Sequence, residues 1–196
     1  MKTRGSLILA SNSPRRQELL RQLGLTFRVW VKPVEEDYPE DLHRGQIALF
    51  LASRKAAAYE AELQPDETLI TADTIVCLDE LVLNKPADYE EACRMLRLLS
   101  GQSHDVITGV CLHSPGQTST FFETTRVSFK PLSPAEIHHY VSTFRPYDKA
   151  GSYGIQEWIG MIGIEKIEGS YFNVMGLPVH RVYEELVKMG AVFFDE

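Results

Sequence analysis

Ser6-Leu7-Ile8-Leu9-Ala10-Ser11, followed at once by Asn12-Ser13-Pro14-Arg15-Arg16, decides the fold class of this chain. The apolar run Ser6–Ser11 has the length and continuity of a buried strand. Ser13 and Pro14 then start a helix. A serine oxygen caps amides that have no helical partner, and proline suits the first helical position, where its missing N–H is not needed. Leu19, Leu20 and Leu23 continue the helix at three-to-four spacing until Gly24 ends it. A strand that hands over directly to a helix is the repeating step of α/β proteins.

The same alternation continues in the C-terminal direction. Phe27–Lys32 reads as a second strand, Pro33–Asp41 as a polar loop, and Leu42 to Glu62 as a long alanine-rich helix. Thr68–Leu78 is a strongly β-prone strand, and Leu81–Leu83 can pair with it across Asp79-Glu80. A helix over Asp88–Leu99 stops at Ser100-Gly101. Val106–His113 and Thr118–Lys130 form a hairpin around Pro115-Gly116. Ser133-Pro134 starts a further helix by the logic of Ser13-Pro14. Gly151–Gly163 reads as a glycine-punctuated loop with a short strand, and the last helix begins at Pro178. Helices interleaved with strands, one pair antiparallel, predict an α/β fold with a mixed sheet and flanking helices. No stretch has the composition of a linker, so residues 1–196 are expected to form a single domain.

With 44% apolar residues and 10% aromatics, a chain of 196 residues can bury a sizeable core without staples. The formal net charge of −7 disfavours nucleic-acid binding, which rests on neutralising phosphates. Phosphate contacts must therefore come from a few placed cations. Three cysteines (Cys77, Cys93, Cys111), far apart and odd in number, read as buried free thiols of a reducing compartment. Residues 1–13 lack the character of a signal peptide, and no apolar run approaches the ~18 residues of a membrane span. A cytoplasmic protein is expected.

Four segments carry possible chemistry. At the first strand-to-helix junction, the unpaired amides and positive dipole end of the helix form an anion site. Arg15 and Arg16 are unfavourable there for the helix itself, and an arriving polyphosphate reverses the sign of that effect. A pair of solvated arginines is the plainer alternative. Asp73 interrupts the apolar pattern Leu69, Ile70, Ile75, Val76, so it is either a metal ligand or general base, or a carboxylate capping a turn. Lys85, in Asn84-Lys85-Pro86, and Lys55, beside Arg54, are point charges suited to phosphate or to plain solvation. The acidic cluster Glu35-Glu36-Asp37 could add a second carboxylate for a divalent ion. In Tyr147–Gln156, Gly151 and Gly154 permit close backbone approach, and Gln156 offers a donor and an acceptor on one group. The six histidines show no metal-ligand spacing, and nucleophilic catalysis finds no support in spacing.

Taken in order, these segments resemble the Maf family of nucleotide pyrophosphatases. The motifs are Leu9–Arg16, Ala72-Asp73-Thr74, Lys85-Pro86, Leu99-Ser100-Gly101, Thr108-Gly109, Asp148–Gln156 and Gly176-Leu177-Pro178. Each alone is weak, whereas the ordered set is specific. The resemblance implies a two-lobed α/β fold with a central cleft, similar to the inosine-triphosphate pyrophosphatases. It implies metal-dependent hydrolysis of a nucleoside triphosphate to the monophosphate and pyrophosphate, with magnesium or manganese, by a homodimer. By position, Asp73 matches the catalytic acid–base residue. Ser11, Arg15, Arg16, Lys55 and Lys85 match the phosphate site, and Asp73 with Glu36 the metal site, Glu35 being the alternative to Glu36. Arg15, Thr74 and Gln156 match positions linked with base preference. A carboxamide at 156 suits the O4 acceptor and N3 donor of uracil and thymine, and turned over it serves cytosine, so CTP stays open. The resemblance around Tyr153–Gln156 favours the branch acting on dTTP and UTP. The 7-methyl-GTP branch, or a non-catalytic nucleotide sensor restraining cell division, is the alternative.

Overall fold

Strand β1 (Lys2–Thr3) is followed by β2 (Ser6–Leu9), in which Leu7, Ile8 and Leu9 are buried. They are covered because β2 lies between two parallel neighbours, β3 (Phe27–Val29) and β4 (Glu67–Leu78). The remaining strands are β5 (Leu81–Leu83), β6 (Ser103–Ser114), β7 (Gln117–Phe129), β8 (Ile164–Glu168) and β9 (Val192–Phe193). In this computed structural model, which describes residues 1–194, the large sheet has the order β3-β2-β4-β6-β7-β8. β5 pairs antiparallel with β4, and β8 antiparallel with β7, so the sheet is mixed as the sequence predicts. β1 and β9 form a separate antiparallel pair.

Helices α1 (Pro14–Gln22), α2 (Gly45–Ala57), α3 (Tyr89–Leu99) and α4 (Pro134–Phe144) are followed by α5 (Trp158–Gly163), α6 (Tyr171–Val174) and α7 (Val179–Lys188). None is long and apolar enough to cross a membrane. The chain forms two compact units. Unit 1 comprises Met1–Asp73, Thr108–Glu123 and the segment from Gly176 onward, and unit 2 comprises Thr74–Ile107 and Thr124–Met175. Each has its own core: Ile8, Ala52, Tyr59, Leu69 and Cys111 pack together in unit 1, and Val76, Leu96, Val127, Tyr140 and Ile159 in unit 2. All three cysteines are buried, and none of them is in a disulfide.

Several element boundaries differ from the sequence reading. The second strand stops at Val29 and does not reach Lys32, because the Tyr59 hydroxyl takes the next polar groups. It donates to the Trp30 carbonyl (2.9 Å) and accepts from the Lys32 amide (2.7 Å). Helix α2 is shorter than Leu42–Glu62. Arg44 precedes it with φ 48, a conformation no helix continues, and beyond Ala57 the bonds become turns such as Glu62 N to Tyr59 O. Gly151–Gly163 contains a 3-10 turn (Ala150–Ser152) and α5 instead of a strand, and the strand comes later, as β8.

Candidate active-site residues in each unit

In unit 1, local folding gathers the first motif. The Ser13 hydroxyl accepts from the Arg16 amide (3.4 Å) and caps α1, while the buried Ser11 hydroxyl accepts from the Ser13 amide (3.2 Å). Arg16 does not extend freely into solvent. Its Nε donates to the Gly176 carbonyl (2.8 Å), and its Nη1 donates to the Ala72 carbonyl (2.9 Å) and the Ser11 hydroxyl (3.4 Å). Burial lowers its pKa from the ordinary value and the Arg15 charge adds to this, against Asp73 and Glu36. Arg16 therefore anchors the first motif to the strand that carries Asp73.

Asp73 lies near the middle of β4, almost buried. Thr71, two residues earlier and so on the same strand face, donates to the Ala52 carbonyl of α2 (2.7 Å) and contacts the Cys111 carbonyl (3.3 Å). That tether holds α2 so that Lys55, one turn beyond Ala52, reaches the Asp73 carboxylate with a short hydrogen bond. The Lys55 ammonium also donates to Glu36 (2.8 Å). The acidic cluster divides at this point. Glu36 faces Lys55, whereas its neighbours Glu35 (3.5 Å) and Asp37 (2.6 Å) face Arg54. Close approach of α2 also depends on Gly109 of β6, where a Cβ would stand 2.2 Å from the Ala48 carbonyl oxygen.

The trio Asp73, Lys55 and Glu36 holds more carboxylate than ammonium and already gathers positive charge. Its oxygens are the donor type that magnesium takes, usually one or two protein carboxylates with substrate phosphates. Among the described residues, no cluster of three or more His, Cys, Asp or Glu has metal-ligand spacing. A two-carboxylate site completed by substrate fits these residues.

In unit 2, Thr74 follows Asp73 directly on β4 and is half-buried, while Lys85 is exposed. The Asn84 carbonyl next to Lys85 accepts from the Gly151 amide (3.2 Å), which ties the Asn84-Lys85-Pro86 turn to the 148–156 segment. Gln156 is exposed and lines an open cleft of about 310 Å³ with Ile155, Met161, Ile164, Ile167 and Tyr171. One carboxamide among apolar walls is the composition of a small-ligand site.

A family model described as Maf-like protein matches residues 6–189. The chain belongs to the Maf family. It is 55% identical over 184 residues to a protein of Phocaeicola vulgatus named dTTP/UTP pyrophosphatase, covering 93% of this chain and 95% of the relative. Proteins of the same name from Porphyromonas gingivalis and Bacteroides fragilis are each 51% identical over 187 residues. These alignments cover 94% and 95% of this chain and 94% and 97% of the relatives.

The geometry gives the Maf motifs physical roles that spacing alone did not reveal. The closing Gly176-Leu177-Pro178 motif supplies a carbonyl to Arg16 of the opening one. Thr108-Gly109 lets α2 approach β6. Sequence reading missed Thr71 as the tether of α2. A threonine flanked by Ile70 and Ala72 in a buried strand is the signal that marks it, since its hydroxyl needs an internal partner. The histidines sort as surface or packed residues. His138 bonds the Tyr89 hydroxyl (2.6 Å), and His139 meets the Trp158 ring edge-on.

Proposed function

We propose that this Maf protein hydrolyses dTTP and UTP between the α- and β-phosphates, giving the nucleoside monophosphate and pyrophosphate. The observation that carries this reading is the convergence of Asp73, Lys55 and Glu36 within the unit whose helix α1 carries Arg15 and Arg16 in its first turn. The names of the relatives support the same substrates. In this reading Asp73 orients the attacking water and takes its proton. Arg15, Lys55 and Lys85 neutralise charge that builds on the pyrophosphate as it leaves, and Arg16 adds its charge from a fixed position. Ser11 contributes a hydroxyl at the phosphate site. Asp73 and Glu36 would hold a divalent cation of the magnesium or manganese class, and the chemistry it would supply is charge stabilisation of the phosphate. Preplaced charge of this kind accounts for most phosphoryl-group catalysis.

Base choice falls to Gln156, with Arg15 and Thr74. One carboxamide satisfies both the O4 acceptor and the N3 donor of uracil or thymine, and a glutamate there would suit the adjacent N–H donors of guanine. We take the two units to be parts of one 196-residue domain that works as a cytoplasmic homodimer on free nucleotides, without nucleic acid or membrane.

The deciding experiment is pyrophosphate release with magnesium or manganese across dTTP, UTP, CTP, GTP and 7-methyl-GTP. Fast release confined to dTTP and UTP is expected. Release chiefly from 7-methyl-GTP would keep the reaction and overturn the base assignment. No release from folded protein on any substrate would overturn the enzyme reading in favour of a nucleotide sensor.

A further inference from the structure

Gln156 is exposed, yet one buried hydroxyl bonds the chain on both sides of it, to the backbone before and to a side chain after. Tyr140, on α4, is fully buried. Its Oη accepts from the Gly154 amide (3.1 Å), two residues before Gln156, and donates to the Glu157 carboxylate, one residue after it, in a short hydrogen bond. The other Glu157 oxygen meets the Lys149 ammonium at 3.0 Å, and Lys149 also bonds Asp148 (2.7 Å). Lys149 is 9% exposed and Glu157 20%, so this is a largely dehydrated ion pair in which each partner depends on the other. The fit is close. A Cβ at Gly154 would stand 2.9 Å from the Glu157 carboxyl carbon and 3.1 Å from Lys149 Cε.

A second contact acts on the same segment. The Tyr153 hydroxyl bonds His104 Nε2 (2.7 Å) in a buried site where His104, Phe129 and Tyr153 pack edge to face. The segment is thus held at the Gly154 backbone and at the Tyr153 and Glu157 side chains by groups from outside its 153–157 stretch. Residue 156 lines the cleft from within this held segment. A carboxamide discriminates between bases only if its oxygen and nitrogen are aimed, because a rotation of its plane exchanges donor for acceptor.

We propose that Tyr140 and Glu157 are positioning residues that aim the Gln156 carboxamide and so set the base preference of the enzyme. This rests on the reading that Gln156 contacts the base. Neither residue is among those assigned to the phosphates or the metal. Their loss therefore alters which base is accepted, through KM, more than it alters kcat on the best substrate. Glu157→Gln keeps an acceptor for the Tyr140 hydroxyl, with Asp148 still beside Lys149 when the Glu157 charge is lost, whereas Tyr140→Phe and Glu157→Ala break the frame.

The test compares kcat and KM for UTP and CTP in the wild type, Tyr140→Phe, Glu157→Ala, Glu157→Gln and Gln156→Ala, with thermal melts to confirm folding. Tyr140→Phe and Glu157→Ala are expected to reduce the UTP-over-CTP ratio of kcat/KM about tenfold, mainly through KM, and Glu157→Gln to retain most of it. Adding Tyr140→Phe to Gln156→Ala should change the ratio no further. A ratio that responds to Gln156→Ala but not to Tyr140→Phe or Glu157→Ala would overturn the positioning role. So would equal losses on both nucleotides, which mark a merely structural one. A ratio indifferent to Gln156→Ala itself would instead overturn the base-contact reading, and the positioning role with it. Should Tyr140→Phe not fold, the contrast between Glu157→Ala and Glu157→Gln decides alone.

Discussion

Arg16 Nε donates to the carbonyl oxygen of Gly176 at 2.8 Å, across 160 positions of sequence. Arg16 Nη1 reaches the Ala72 carbonyl, next to Asp73, at 2.9 Å. One planar guanidinium therefore joins the N-terminal helix start, the strand bearing the catalytic candidate and the turn before α7. Lysine cannot serve two carbonyls in fixed directions. Arg16→Lys should cost roughly 2 kcal/mol in urea-unfolding stability, in line with the loss of a charged hydrogen bond. It should also lower turnover. Stability equal to the wild type would show that the two bonds contribute nothing.

Asp73→Asn keeps the shape of the side chain and removes its charge and basicity. Pyrophosphate release should fall by at least ~10²-fold, the usual contribution of a general base. Near-ultraviolet circular dichroism should be unchanged. Substantial remaining activity would remove Asp73 from the acid–base role.

Glu36 and Glu35 are adjacent in sequence but face Lys55 and Arg54 respectively. Glu36→Gln should raise the magnesium or manganese concentration for half-maximal activity by about tenfold or more, a typical loss at a metal site. Glu35→Gln, at a side chain 86% exposed, should leave it within error. The reverse pattern would move the metal carboxylate to Glu35.

His104 gives the fold a pH dependence. Burial, opposed only by Asp105, depresses its pKa from 6.5 to about 4. In this window the unfolded chain binds the proton and the folded chain does not, so stability rises with pH. The stability is fully present above about 6.5, is lost as pH falls towards 4, and the dependence flattens below that. The difference across the window is on the order of 3 kcal/mol. Urea titrations of the wild type and His104→Gln between pH 7.5 and 4.5 measure it. Parallel slopes in the two proteins would refute the assignment.

Gly109→Ala places a methyl group 2.2 Å from the Ala48 carbonyl oxygen, against helix backbone that cannot rotate away. The variant should lose about 3 kcal/mol, as overpacked cores do, and should lose turnover as α2 displaces Lys55. A soluble, fully active variant would show that α2 has slack at this point.

The sequence marked elements whose determinants are local. Ser13 caps α1 and Ser133 caps α4, the latter with a reciprocal Glu136 bond, and both follow from a hydroxyl set before a proline. Helix α5 was not legible because Gly160 and Gly163 weaken its propensity. Tertiary packing overrides this: Ile159 is fully buried, and a Cβ at Gly160 would strike the Ile155 carbonyl oxygen at 1.9 Å. β8, Ile164–Glu168, carries charges on a half-exposed edge and lacks a clean alternation. In the site, the charged motif residues could be read, while the groups that aim them could not. Thr71, Tyr140 and His104 look like ordinary interior residues until the carbonyl, amide or hydroxyl that each one holds is known.

Unit 1 is assembled from three separated stretches, and its last begins at Gly176. On the ribosome, the Arg16 guanidinium emerges long before the carbonyl it will bond. At typical elongation rates of ~5–20 residues per second, the stretch from Asp73 to Gly176 takes roughly 5–20 s to synthesise. The unit that begins at the N-terminus is therefore the later of the two to be completed. Unit 2, whose last residue is Met175, has all its strands and helices available first. Vectorial synthesis thus leaves the Asp73 strand waiting for its C-terminal latch, and a nascent chain released early lacks the half of the molecule's chemistry that it began to make.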